Sequence, residues 1–297
     1  MTMTRVGAPD RPEGFRQRAK WELLGLLLPG VLGLLLGFIL PILVMLRMSL
    51  NTNAAGGQLV SSFSLASYQA ALADPFYWQV IGNTLLLGLG CGLMATVLSY
   101  PLALFLIRTT SKWKGVLIAL AIAPLLTSAV ARTYGWIAIL GDQGVINDAL
   151  LSIGFIDTPW RLSNNLLGTT IALVEILMPY SILAMVSGFG RINSSLEDAA
   201  GSLGASKLKT FFRITLPLSL PGVFTGFLLV FVLAISSFVT PRLLGGGRVF
   251  ILATEVYNEA TQTLNWPLAS ALSVILLVVF GVLVGIYQRA IAKFEDR

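Results

Sequence analysis

One carboxylate lies inside an apolar stretch of this chain and is the residue best placed to act on a charged ligand. Glu175 stands within residues 166–189, which otherwise hold no charged side chain. An ionisable group inside an apolar span is costly and usually faces a partner or a water-filled cavity. Pro179, four residues on, loosens the helix and can expose carbonyl groups to the same cavity. Glu175 therefore predicts attraction of a cation, and the alternatives are a protonated carboxyl group or pairing with a helix of another subunit.

The residue types that carry most enzymatic chemistry are scarce in this sequence. The chain has no His, which excludes a His-based triad, metal site or proton switch. Its single Cys, Cys91, excludes an intramolecular disulfide and a Cys-rich metal site. A GxxxxGK[ST] loop is absent, so the chain cannot hydrolyse ATP by itself. We expect no catalytic residue, no metal site and no cofactor in this chain, and an intramembrane enzyme is disfavoured.

Composition assigns the chain to membrane proteins before any motif is considered. Apolar residues make up 56% of its 297 residues and charged residues only 11%, and the mean hydropathy is +0.82. Both lie far from the averages of soluble proteins. We predict an all-α polytopic membrane protein with six transmembrane helices, because a run of about 20 apolar residues crosses the hydrocarbon layer. The predicted spans are residues 23–46, 80–107, 115–140, 166–189, 223–239 and 267–287.

The segments between and around these spans have distinct compositions. Residues 1–22 are polar and basic, which indicates a disordered cytoplasmic tail before a transmembrane domain over 23–290, and 291–297 form a cytoplasmic C-terminus. Residues 51–78 predict a loop with a short amphipathic helix. They end in an interfacial aromatic belt at Phe76, Tyr77 and Trp78.

The distribution of basic residues predicts which side each segment faces. If the N-terminus is cytoplasmic, 15 of the 20 Lys and Arg residues fall on the cytoplasmic side. The positive-inside rule then places both termini and the loop 190–222 in the cytoplasm, with 51–78, 141–165 and 242–262 outside. The net charge of +6 thus reflects topology and anionic lipid, and no aromatic-interleaved basic surface indicates nucleic acid.

Residues 190–222 interrupt two spans with a soluble-looking loop. Ser194 and Glu197 have the spacing of a capping box at a helix start. Gly204 can adopt the left-handed conformation that closes a helix, and Ser206 can cap a second one. We predict two short helices at right angles that protrude into the cytoplasm. The loop holds no catalytic group or phosphate cradle, so its shape indicates contact with a protein.

The spacing within this loop resembles a known family, the permease subunits of binding-protein-dependent ABC importers. Their cytoplasmic signature loop inserts into the ATPase subunit, and its usual leading Glu is replaced here by Asp198, with Glu197 just before it. The resemblance implies that Glu197, Asp198, Ala199, Ala200 and Gly204 couple the chain to the ATPase. The matching pattern is Asp198-Ala199-Ala200, three residues, Gly204-Ala205, Ile214-x-Leu216-Pro217 and Pro221-Gly222.

Further motifs look like the polyamine branch, for spermidine and putrescine, over roughly residues 20–290. The resemblance implies the type I importer permease fold and a location in the bacterial inner membrane. It also implies four kinds of partner: an ATPase dimer that binds ATP and Mg, a second permease, a periplasmic substrate-binding protein and membrane lipid. The motifs are Asn83-Thr84-Leu85, Pro101-Leu102-Ala103, Arg132-Thr133-Tyr134-Gly135-Trp136, Gly144-x-Ile146-Asn147 and Leu264-Asn265-x-Pro267.

Several residues are candidates for the solute path, and several solutes are candidate substrates. Tyr134, Trp136 and Tyr180 are candidates to line the solute path with Glu175, although aromatic residues near interfaces are commonly membrane anchors. Permeases for an opine, an amino-acid-like solute, a phosphonate, sulfate or ferric iron are alternatives to polyamines. An ion-coupled secondary transporter would suit Glu175 but leave the cytoplasmic loop unexplained. The outside acidic residues are expected either to help receive a binding protein or to be solvated: Asp142, Asp148, Asp157, Glu255 and Glu259.

Overall fold

The structure, a computed structural model, describes residues 25–53 and 59–295. The predicted basic tail over residues 1–22 lies outside the described residues. Helices dominate the described part, and its two short strands pair antiparallel. In chain order the elements are α1 (Gly25–Ser49), β1 (Thr52–Asn53), β2 (Leu59–Val60), α2 (Ala66–Ala73), α3 (Pro75–Arg108), α4 (Lys114–Leu126), α5 (Ala129–Leu140), α6 (Val145–Ser152), α7 (Leu166–Gly188), α8 (Ser194–Ser202), α9 (Lys207–Ile235), α10 (Val239–Leu244), α11 (Leu252–Thr261) and α12 (Trp266–Glu295).

Up to six segments of the described chain are long and apolar enough to cross a membrane, in agreement with the predicted fold class. Five are single long helices, namely α1, α3, α7, α9 and α12. The sixth is a broken pair, in which α4 and the segment Ala129–Ser152 are bent by 91°. The expectation of one continuous helix over 115–140 is therefore wrong. A 3₁₀ turn containing Pro124 ends α4, and Thr127 and Ser128 are extended, so the helical hydrogen bonds cannot continue.

Helices α3, α7 and α9 pack against one another along their lengths and form the centre of the bundle. Leu87, Leu173 and Val230 contribute one buried side chain from each helix. Small residues allow close approach: a Cβ on Gly188 would lie 2.4 Å from the Cα of Gly222. Such small-residue contacts are typical of helices that associate within lipid.

Helix α1 stands apart from this centre. It contacts α12 and the hydrophobic window of its span has no buried residue. An apolar helix surface of that extent cannot face water at a reasonable free-energy cost. We conclude that lipid or another subunit covers α1.

The segments expected outside the membrane meet at one end of the bundle. Tyr77 is buried beside Leu252 and Leu272, and its hydroxyl donates to Oε1 of Glu259 at 3.0 Å. The predicted aromatic belt is thus wrong at Tyr77, because burial against α11 and α12 and an inward hydrogen bond take it away from the interface. Trp78, by contrast, is exposed.

Two adjacent polar residues of α3 fasten the chain that leads into α11. Asn83 donates from Nδ2 to the carbonyl of Phe250 at 3.1 Å. The hydroxyl of Thr84 accepts from the backbone N–H of Leu252 at 2.9 Å. These bonds satisfy backbone groups that lack a helical partner, so they fix the outer segment to the central bundle.

Candidate functional site

Helix α8 is closed at both ends by local hydrogen bonds. Asn193 is its N-cap and accepts from the backbone N–H of Ser195, so the predicted capping box of Ser194 and Glu197 is wrong. The C-terminal end follows expectation: Gly204 has φ +79°, and Ala205 N–H donates to Ala200 at 3.0 Å. These bonds form a Schellman motif, in which Gly tolerates the left-handed position that other residues disfavour.

The two acidic residues of α8 point to different surroundings. One oxygen of Glu197 accepts hydrogen bonds from Nη2 of Arg108 and from the hydroxyl of Thr215. Asp198 is exposed, and Ala199 beside it is also exposed. Glu197 does not cap the helix, because a hydrogen bond to a charged guanidinium group is stronger than one to a backbone N–H. Asp198 is therefore the carboxylate that α8 presents outward.

The second helix of the loop is continuous with the following span. Ser206 caps it, accepting from Lys209 N–H at 3.4 Å, as expected. It then runs as the 29-residue α9 into the bundle, through a π-helical turn at Phe211–Thr215. The expectation of a separate short second helix is wrong, because a π turn absorbs the extra residue without breaking the helix.

Two hollows flank the loop on either side of the Arg108–Glu197 pair. One of about 800 Å³ lies between α8 and the start of α9, and it is lined by Asp198, Lys207 and Phe211 among others. The other, of about 690 Å³, lies towards Phe189 and Gly190. Arg108 and Glu197 line both, so this ion pair separates the two hollows.

Glu175 lies at the meeting of α5 and α7 and has partners within its own chain. Its Oε1 lies 3.7 Å from Nη1 of Arg132, and its Oε2 accepts from Nε1 of Trp136 at 3.1 Å. Arg132 and Trp136 are four residues apart and so share one face of α5. The side chain of Glu175 is 36% exposed, while that of Arg132 is 16% exposed. Each carboxylate oxygen thus faces a partner on α5, while part of the side chain stays exposed.

The remaining aromatic candidates lie near this cluster in sequence but are not joined to it by a described hydrogen bond. Tyr134 is 58% exposed and Tyr180 is 36% exposed. Tyr134 falls between Arg132 and Trp136, and therefore on the opposite side of α5. Of the four predicted path residues, the structure brings Glu175 and Trp136 together. Arg132 was named from the sequence only within a family motif and not as a path residue, and its i, i+4 spacing from Trp136 was the signal that could have linked the two.

The outer acidic residues divide into solvated and internal groups. Asp142, Asp148 and Asp157 are exposed. Glu255 is only 6% exposed and accepts from Nδ2 of Asn258, whose Oδ1 accepts from Arg242. Burial raises the pKa of the Glu255 carboxyl group, and the negative charge of Glu259 adds to this, whereas the Asn258 hydrogen bond and the Arg242 charge act against it.

Asn147, a member of one of the family motifs, holds the outer loop together through its side-chain hydrogen bonds. It is fully buried, donates from Nδ2 to the carbonyls of Gly141 and Trp160, and accepts from Trp160 N–H at 2.9 Å. All of its amide group is therefore used for folding the loop. This burial removes Asn147 from the surface that could meet a soluble partner.

The structure is a helical bundle with membrane-spanning segments, a loop that carries helix α8, and a carboxylate within an apolar span. Residues 23–295 match the family described as "Binding-protein-dependent transport system inner membrane component". The chain therefore belongs to this family of inner membrane permease subunits of ABC importers.

Two relatives are similar over most of their length, and a third over a smaller part. The "Spermidine/putrescine transport system permease protein PotB" of Salmonella typhimurium (strain SL1344) is 34% identical over 261 residues, which cover 88% of this chain and 91% of the relative. The protein of the same name from Escherichia coli (strain K12) is also 34% identical, with 88% and 94% covered. The "Ferric transport system permease protein FbpB" of Actinobacillus pleuropneumoniae is 30% identical over 219 residues, which are 31% of its length.

A solved structure confirms the fold. The chain matches a subunit of a bacterial ABC transporter involved in the import of alginate, with a TM-score of 0.74 and 18% identity. The match covers 94% of this chain and 98% of the solved one. The predicted importer permease fold is thus confirmed.

Proposed function

We propose that this permease forms the membrane path for a polyamine such as spermidine or putrescine. The observation that carries the proposal is the 34% identity to spermidine/putrescine permeases over 88% of the chain. The chemistry of the bundle supports it, since polyamines are cations and Glu175 supplies a partly exposed carboxylate within a span. The ferric transport relative supports an alternative more weakly, because it matches over only 31% of its own length.

The exposed surfaces of the permease support the proposed partners. The exposed Asp198 and Ala199 of α8, held by the Gly204 turn, meet one subunit of an ATPase dimer that binds ATP and Mg. Helix α1 and the open sides of the bundle meet a second permease and membrane lipid. A periplasmic substrate-binding protein delivers the solute to the outer end, and both termini lie in the cytoplasm.

Arg132 acts as the resting counter-ion of Glu175. Its guanidinium lies 3.7 Å from the carboxylate, too far for a strong hydrogen bond, and also approaches the carbonyl of Ile176 at 3.5 Å. Among the described residues, Nε of Arg132 has no hydrogen-bond partner. An incoming ammonium group can therefore compete with Arg132 for the partly exposed Glu175 carboxylate. Trp136 holds the other oxygen in place, and Tyr134 and Tyr180 offer exposed rings to the solute.

The same pair favours one second candidate, an amino-acid-like zwitterion. Glu175 would bind its ammonium group, and Arg132 would bind its carboxylate with a guanidinium fork. This candidate differs from a polyamine in one testable way. A zwitterion needs both charges of the pair, whereas a polyamine needs only Glu175.

The test is solute uptake by the complete transporter in proteoliposomes, with its own ATPase, second permease and binding protein. Uptake of radiolabelled spermidine and putrescine is compared with uptake of basic and neutral amino acids and of ferric iron. We expect saturable, ATP-dependent uptake of a polyamine. Uptake of an amino acid or of ferric iron with no polyamine uptake would overturn the substrate assignment and leave the permease assignment intact.

A further inference from the structure

The carboxylate of Glu197 joins three segments that are distant in sequence. Its Oε1 is shared by Arg108, which lies 89 residues earlier, and by Thr215, which lies 18 residues later and donates at 2.5 Å. Arg108 is the last residue of α3, and Thr215 is the last residue of the π turn in α9. One oxygen atom thus connects α8 to the cytoplasmic ends of two central helices.

Burial makes this connection more than a surface ion pair. The Glu197 side chain is 23% exposed, Arg108 is 46% exposed, and Thr215 is 1% exposed. A wholly exposed Lys or Arg pair contributes little, because water and salt screen it. Here the hydroxyl of a buried Thr shares the carboxylate, so loss of Glu197 would leave that hydroxyl without its acceptor.

The Glu197 carboxylate is engaged within its own chain. Its Oε1 is occupied twice, and the residue lies between the two hollows described above. Asp198, one residue on, is exposed and rotated by about 100° around the helix. The two acidic residues of α8 therefore have separate tasks.

Helix α3 can carry a displacement of Arg108 to the opposite end of the molecule. It is continuous for 34 residues, or about 51 Å. At its far end Asn83 and Thr84 bind the segment leading into α11, and Tyr77 binds Glu259. A movement of α8 that reaches Arg108 thus has a direct mechanical route to the outer end.

We infer that Glu197 is a positioning residue that couples α8 to α3 and α9, so that ATPase-driven movement of α8 reaches the solute path. This inference rests on the proposed docking of the ATPase at α8. Without the Glu197–Arg108–Thr215 contact, α8 still binds the ATPase but moves independently of α3. ATP hydrolysis then continues without proportionate transport.

The test compares variants of the complete transporter in proteoliposomes and measures ATPase association, ATP hydrolysis and solute transported per ATP. Glu197→Gln and Thr215→Val each remove part of the contact, and Glu197→Arg combined with Arg108→Glu reverses its charges. Ser202→Ala is the matched control, because that hydroxyl bonds only the Asp198 carbonyl of its own helix in the described structure.

We expect Glu197→Gln to keep ATPase association and to lower solute transported per ATP by about fivefold or more, the lower end of ordinary coupling between sites. Thr215→Val should give a smaller loss in the same direction, and the charge reversal should restore most of the ratio. A normal ratio in Glu197→Gln would overturn the inference. So would loss of ATPase association that the charge reversal fails to restore, since Glu197 would then contact the ATPase directly.

Failure of the docking proposal has a different signature. Asp198→Lys would then bind the ATPase as well as the unmodified chain does, whatever Glu197→Gln does to the transport ratio. Monodisperse elution and an unchanged melting temperature of each variant in detergent separate these outcomes from misfolding.

Discussion

Arg132 and Glu175 form an ion pair inside the membrane bundle, with 3.7 Å between Nη1 and Oε1. The two residues lie on α5 and α7, and the break between α4 and α5 sets the direction of the arginine's helix. A carboxylate alone in the bilayer would be costly, whereas this one has a counter-ion and is partly exposed. The pair thus explains how Glu175 is tolerated within an apolar span.

Removing each charge of this pair should affect transport differently. We expect Glu175→Gln to abolish polyamine uptake, because the substitution keeps the shape and removes the attraction for an ammonium group. Arg132→Gln should retain uptake, with a changed KM, because it removes a competitor of the substrate. Both are measured as initial uptake rates in proteoliposomes, with Asp148→Asn as an exposed-carboxylate control. Unchanged kinetics in Glu175→Gln would assign the pair to packing alone.

Gly204 should be intolerant of a side chain. Its φ of +79° is unfavourable for residues with a Cβ, at a cost of about 1–2 kcal/mol. We expect Gly204→Val to prevent ATPase association, measured by co-purification, while leaving membrane insertion intact. Gly201→Ala is the control: it lies in α8, nothing lies within 4 Å of an added Cβ, and the substitution favours helix. Equal loss in both variants would contradict the role of the left-handed turn.

The contact between Gly188 and Gly222 should limit stability. A Cβ on Gly188 would lie 2.4 Å from backbone, which cannot rotate away. We expect Gly188→Ala to destabilise the bundle by about 1–3 kcal/mol, as overpacking usually does. Thermal unfolding in detergent measures this, with Gly285→Ala in α12 as the control, since an added Cβ there meets nothing within 4 Å. Equal melting temperatures for the two variants would contradict the prediction that the Gly188–Gly222 contact limits stability.

Topology can be tested by labelling single cysteines in a Cys91→Ala background. Asp148→Cys should react with an impermeant thiol reagent in intact spheroplasts, because that residue is exposed in the segment expected outside. Ser206→Cys, exposed in the loop expected inside, should react only after lysis. Asn147 is unsuitable because it is fully buried. The reverse pattern would invert the proposed orientation.

Glu255 should make stability depend on pH. Burial raises its folded pKa above the ordinary value of 4.5, so folding favours the protonated form. Its contribution is fully present below the unfolded pKa and is lost as pH rises through the folded pKa. We expect the melting temperature in detergent to fall as pH rises above about 4.5, and Glu255→Gln to weaken this fall. Asp148→Asn is the control, and an unchanged pH profile in Glu255→Gln would assign the effect to other groups.

Local features of this protein follow from its sequence. Long apolar runs must cross the membrane as helices because their backbone groups have no other partners in lipid. The left-handed turn at Gly204 and the cap at Ser206 depend on residues within a few positions, so they too could be predicted. The third span could be predicted only in part, because the sequence shows Pro124 but not the bend between the two helices.

Only the tertiary structure determined the hydrogen-bond and ion-pair partners of these polar residues. Glu197 bonds Arg108 instead of its own helix start, Tyr77 bonds Glu259 across 182 residues, and Glu175 pairs with Arg132 on another span. Each residue had a plausible local or interfacial role, so neighbouring sequence could not distinguish the outcomes. The physical reason is that helix packing brings charges and hydroxyls from distant segments together inside the bundle. An unpaired polar group is costly to bury there, so the neighbouring helices determine which partner each polar group bonds.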